Sequence, residues 1–188
     1  MINIKKEIIG DIIKVEGGYV DDPSDSGGET NYGVTKAVAE KYGYTGKMID
    51  LTYDLAFQIY SDKYWNVLKL DEICELSPII ARELADTGIN MGVKRAAIFL
   101  QRCLNSLNNG GAYYSDIAVD GAIGNQTLVA LTSFLDLRGA EGRGILFNML
   151  NCLQGEFYIS LAERREKDEK FIYGWFKHRV TIKGGHAK

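Results

Sequence analysis

Apolar residues recur three and four positions apart along most of this 188-residue chain, a spacing that lines them up on one face of an α-helix. Ile4, Ile8, Ile9, Ile12, Ile13 and Val15 predict an amphipathic helix over residues 3–16, stopped by Gly17-Gly18. Residues 17–34 break the period. Rich in Gly, Asp and Ser, they predict an irregular segment or a short hairpin. Helical spacing resumes at Thr35, placed to cap a helix ending near Gly43, and Thr52 is placed to cap another reaching about Asn66, with Leu55, Ile59 and Tyr60 inward. Ser77-Pro78 joins a cap residue to a first-turn proline and starts a helix through Asn90. Val93 to Leu107 continue as an apolar helix after Gly92, and a looser stretch covers residues 108–124. Further helices are expected near 126–135, from about 142 to 165, and over 171–180, where Phe171, Trp175 and Phe176 supply apolar contacts. No β-rich run competes, so the fold class expected is mainly α.

Composition narrows the class of protein. With 46% apolar residues the chain is long enough to bury a core without staples. Cys74, Cys103 and Cys152 are an odd, widely spaced set without a CxxC pair, each in an apolar helical context, and buried reduced thiols are the expectation. Charge interrupts the N-terminal segment too often for a signal peptide, and no segment reaches membrane-spanning length, so synthesis in the cytoplasm and no stable membrane insertion are expected. A net charge of -3 argues against nucleic acid as a partner. Residues 163–188 nevertheless hold eight Lys/Arg against four Asp/Glu, a run that reads as a solvated helix face or as a surface for a polyanion.

Little chemistry is available except that of carboxylates. His178 and His186 are the two histidines, which removes most His-dependent triads and zinc sites. There is no phosphate-binding glycine loop, and neither cofactor nor metal is expected. Hydrolysis of a glycosidic bond runs on carboxyl groups alone: one stays protonated to donate to the leaving oxygen, and a second group handles water or the developing cation. Glu16 suits the first role. At a helix C-terminus the dipole disfavours its charge, and the two following glycines let a substrate approach the backbone. Asp21, Asp22, Asp25 and Glu29 are candidates for the second. The alternative is a solvated Glu16 beside aspartates that shape turns around Pro23. Tyr19 and Tyr32 can stack on sugar rings or pin the loop. Asp86 and Asn90, four apart, share a helix face and line a cleft, or else Asp86 accepts backbone hydrogen bonds from a neighbouring loop. Asp120-Gly121 reads as a turn, and Asn125 as the cap of the helix after it.

Three runs carry a family resemblance. Glu16-Gly17-Gly18-Tyr19, followed by Asp22-Pro23-Ser24-Asp25-Ser26-Gly27-Gly28-Glu29-Thr30-Asn31-Tyr32-Gly33-Val34-Thr35, resembles the signature of the glycoside hydrolase family 108 muramidases, found in phage endolysins and in bacterial proteins once labelled secretion activators. Ala85-Asp86-Thr87-Gly88-Ile89-Asn90-Met91-Gly92 is similar to that family's second block, and Val119 to Thr127 resemble the start of its peptidoglycan-binding-like half. Nearly the whole chain is covered. Ser26 departs from the pattern, standing where the family often has proline.

The resemblance implies a lysozyme-like helical fold, with residues 1–92 as catalytic part and 93–188 as a helical second part packed with it as one compact unit. It implies hydrolysis, with inversion, of the β-1,4 linkage between N-acetylmuramic acid and N-acetylglucosamine. By position Glu16 becomes the general acid, and Asp25 and Thr30, nine and fourteen residues later, orient the attacking water. Tyr19, Asn31, Tyr32, Asp86 and Asn90 become candidate substrate contacts. The expected partner is the glycan strand of peptidoglycan, met by a monomer after release through a holin pore, a secretion apparatus or lysis. A lytic transglycosylase and a non-catalytic wall-binding secretion helper are the alternatives.

Overall fold

The first isoleucine run forms α1 (Ile4–Glu16), which turns Ile8, Ile9 and Ile13 into the core. The computed structural model describes residues 4–21 and 28–180, and for Val15 and Glu16 the backbone alone. Gly17, at φ 84°, ends the helix by donating its N–H to the Ile13 carbonyl at 3.3 Å. A left-handed residue at that position suits glycine. A hairpin of β1 (Thr30–Asn31) and β2 (Val34–Thr35) follows, registered Thr30 to Thr35 and Asn31 to Val34. Its two-residue turn, Tyr32 and Gly33, has positive φ at both positions (53° and 71°), the geometry that matches the twist of the flanking strands. Helix α2 (Lys36–Lys41), a 3₁₀ turn (Met48–Asp50) and α3 (Tyr53–Tyr60) complete the first layer, and Ser61–Trp65 widen into a π-helical turn with Trp65 buried. Gly10 lets α3 come close to α1, since a Cβ there would lie 3.2 Å from the Tyr53 hydroxyl.

These elements make up one compact unit, Met1–Asn66; the second is Val67–Lys188. It contains α4 (Leu70–Leu76), α5 (Pro78–Met91), α6 (Val93–Leu107), α7 (Asn125–Arg164), a 3₁₀ turn (Glu166–Asp168) and α8 (Glu169–His178). Helices α5 and α6 are joined by Gly92 at φ 91°, and the buried faces of α4 to α7 form this unit's core around Leu70, Ile73, Ile80, Leu84, Leu100 and Leu104. The packing therefore divides the chain before α4, whereas the sequence blocks divide it after α5. Among the described residues no helix is long and apolar enough to cross a membrane.

The mainly α reading holds, with local corrections. Helix α4 was not expected, because seven residues with two buried apolar positions are too few to display a period. The helices expected near 126–135 and 142–165 meet as α7 at Gly139 (φ 55°, ψ -140°). Thr52 caps α3 by accepting from the Leu55 N–H at 3.3 Å, but Thr35 and Ser77 make no side-chain cap bond. Asn125 is the first residue of α7 rather than its cap. Of the three free thiols only Cys103 is buried; Cys74 is half-buried and Cys152 exposed, on the solvent side of α7.

Candidate active site

The backbone after α1 closes a loop. Val20 and Thr30 form an isolated antiparallel bridge, each N–H donating to the other's carbonyl at 2.9 Å. The two ends of the acid-rich run are therefore held together, four residues beyond Glu16. Glu16 is the last residue of α1, where the helix dipole is negative. Its side chain, and Asp22 and Asp25 entirely, lie outside the described residues.

Side chains reinforce the bridge. The Tyr19 hydroxyl donates to Glu29 Oε1 at 2.9 Å, and Lys36 Nζ lies 3.4 Å from Glu29 Oε2. That bond to Glu29, followed by desolvation, pushes the Tyr19 phenol up to about 12. Glu29, one of the candidates for the second carboxylate, thus spans three segments: the chain after Glu16, the hairpin and the start of α2. Tyr19 takes the pinning role, with the hydroxyl spent on Glu29, and its side chain is exposed.

The hairpin is fastened from below. Asn31 is 4% exposed and its amide nitrogen donates to the carbonyls of Met48 (2.8 Å) and Ile49 (3.2 Å). This amide is part of the scaffold, in contrast to the substrate contact expected. The Tyr32 carbonyl accepts from the Tyr60 hydroxyl at 3.2 Å, and the Tyr32 ring meets Tyr53 edge-on with centroids 6.2 Å apart. Thr30, half-buried, stands on β1 and is itself a partner in the bridge. Glu16, Tyr19, Thr30, Asn31 and Tyr32 therefore belong to one locality, organised on the first unit.

Asp86 and Asn90 belong to the second unit. Asp86 accepts from Gln154 Nε2 (2.8 Å), from Arg179 (3.0 Å) and from Asn90 Nδ2 (3.1 Å), and Asn90 also donates to the Asp86 carbonyl (2.8 Å). Asp86 ties α5 to α7 and to the chain after α8 through side-chain bonds, where one of its two expected roles was to accept from loop backbone. Its partners lie 68 and 93 positions away, beyond the reach of any local pattern. The Asp120 turn is also internally satisfied. Asp120 accepts from the Ala122 N–H (2.9 Å) and from Gln101 Nε2 (2.8 Å), bonds that hold its carboxyl below the usual range. A cavity of about 270 Å³ opens there, lined by Gln101, Ile117, Asp120, Gly124, Asn125 and Thr127 among others. Among the described residues no three His, Cys, Asp or Glu side chains converge to hold a metal ion.

A glutamate ending α1 and a threonine on β1, linked through the Val20–Thr30 bridge, are residue types suited to carboxyl-driven glycoside chemistry. Residues 9–92 match the family model described as Glycosyl hydrolase 108. Residues 9–92 belong to glycosyl hydrolase family 108. Residues 95–180 match a second model, Predicted Peptidoglycan domain, which gives this family 108 member peptidoglycan as its substrate class and the cell wall as its target. Among solved structures, SagA of Brucella abortus is similar, with a TM-score of 0.62 and 26% identity over 92% of this chain and 87% of that one. No curated protein matches significantly.

Proposed function

We propose that this family 108 hydrolase is an N-acetylmuramidase that cuts the β-1,4 bond between N-acetylmuramic acid and N-acetylglucosamine. Glu16 protonates the glycosidic oxygen while Asp25 and Thr30 orient water on the opposite face of the sugar, which inverts the anomeric centre. The observation that supports this reading most is the Val20–Thr30 bridge, which sets the threonine-bearing strand against the chain leaving the Glu16 helix end. A glutamate at a helix C-terminus is disfavoured as an anion, and a substrate that displaces water raises that effect further. Thr30 offers a hydroxyl that can both donate to and accept from the attacking water. Tyr19 and Tyr32 present aromatic surface beside the same loop for sugar rings.

The test is Glu16→Gln. The variant is expected to keep the wild-type circular dichroism and melting temperature and to lose clearing of cell-wall suspensions by about 10²-fold or more. Retained lysis ends the assignment. Mass spectrometry of the released muropeptides separates the chemistry: reducing muramic ends identify hydrolysis and anhydro ends a transglycosylase. Sedimentation with peptidoglycan without release of either end identifies a wall-binding protein.

A further inference from the structure

Helix α5 turns Ile80, Glu83, Leu84 and Thr87 toward the core at helical spacing, so a carboxyl group occupies a position patterned for an apolar side chain. Glu83 is 6% exposed and its Oε1 has no hydrogen-bond partner in the protein. Helix α7 opposes it with Asn151, Gln154 and Tyr158, at 0%, 0% and 4% exposure. Gln154 Oε1 and the Tyr158 hydroxyl are likewise buried without partners.

The amide hydrogens in this seam are already used. The Gln154 amide donates to Asp86 Oδ2 (2.8 Å) and Thr87 Oγ1 (3.3 Å), and the Asn151 amide to the Phe147 carbonyl (3.1 Å) and to the Glu83 carboxyl. Oxygens are left over: Glu83 Oε1 and Gln154 Oε1 accept only, and the Tyr158 hydroxyl, itself without a partner, bonds to neither. An ionised Glu83 would add a second negative charge to a helix face that already carries Asp86. A protonated Glu83 supplies the missing donor instead.

We propose that a proton on Glu83 fastens the α5–α7 seam, so that losing it loosens the C-terminal unit. The groups that act on this carboxyl are Asp86 on α5 and Asn151 on α7, and Glu83 acts in turn on Tyr158 of α7. Burial, followed by the charge of Asp86, pushes the carboxyl up to about 8, against the opposing hydrogen bond from Asn151. Burial pushes the Tyr158 phenol up to about 12, so it stays neutral over the same interval. The unfolded chain releases the Glu83 proton near 4.5, whereas the folded chain keeps it to about 8. The folded state therefore holds the extra proton between those values. Its contribution is complete below the lower value, falls as pH rises, and is gone above the upper one.

The experiment is thermal unfolding of the full chain from about pH 5 to about pH 9, for wild type and Glu83→Gln. Glutamine carries donor hydrogens and no charge at any of these values. The wild-type melting temperature is expected to fall by roughly 5–10 °C across the interval, and the variant to lose that part of the slope and melt above wild type at the alkaline end. Parallel curves overturn the proposal. If Glu83→Gln does not fold, carbon-13 titration of the glutamate carboxyls decides, performed in Glu16→Gln so that the proposed proton donor does not contribute. One glutamate titrating above about pH 7, with hydrogen-exchange protection of α5 and α7 declining in step, supports the proposal. All glutamates titrating in the ordinary range overturn it.

Discussion

Asn31 separates two meanings that one motif residue can carry. It stands between Thr30 and Tyr32 in the run that marks the family, yet its amide nitrogen is committed to the Met48 and Ile49 carbonyls beneath the hairpin. Removing that amide leaves two carbonyls without their donor in a buried place. Asn31→Ala is expected to lose about 1–3 kcal/mol in denaturant unfolding, and its KM for wall substrate is expected to stay at the wild-type value once the unfolded fraction is discounted. A raised KM with unchanged stability would return Asn31 to the substrate. The candidacy of Glu16 and Tyr19 was legible from residue type and position, and that of Thr30 from the family resemblance. The division of the motif into reacting and supporting residues was not, because it depends on where Met48 and Glu29 come to lie. Glu83 did leave a signal: a carboxylate at an inward position of a helix whose neighbours Ile80 and Leu84 are apolar.

Elements were legible in proportion to their length. Helices α1, α5 and α6 repeat their apolar face over three or more turns, and their observed ends fall within a residue or two of those predicted. Helix α4 has two turns and left no such trace. The two halves of α7 show where glycine chemistry decides more than periodicity. Gly139 sits at φ 55°, ψ -140°, a region that other residues essentially do not enter, while Gly144 lies in regular helix with open space where a Cβ would project. Gly139→Ala is expected to destabilise the chain by about 1–3 kcal/mol, and Gly144→Ala to stabilise it by about 0.5–1 kcal/mol. Chemical denaturation of the pair reads both signs. Equal effects would mean that Gly139 is an ordinary helical position and that α7 runs straight through it.

At the scale of the whole molecule, similarity and packing divide the chain in different places. The hydrolase family model covers residues 9–92, but the compact units are Met1–Asn66 and Val67–Lys188. Helices α4 and α5 thus carry hydrolase-family sequence while packing with α6 and α7. Ile73, Ile80 and Leu84 are each at most 1% exposed in that setting, and burying each contributes about 1.5–3 kcal/mol. Against a total stability of about 5–15 kcal/mol for a typical domain, so large a loss is decisive. A fragment ending at Gly92 would keep the whole hydrolase match but remove the α6 and α7 faces that cover these residues. It is expected to lack protected amides in α4 and α5 by hydrogen exchange, to expose apolar surface and to aggregate, and to have much less than the full chain's wall-clearing activity. Cooperative melting with protected α5 amides in that fragment would show that the family's hydrolase segment is also an independent folding unit. The Asp86 contacts to Gln154 and Arg179 would then be additions to a stable α5 rather than part of what holds it in place.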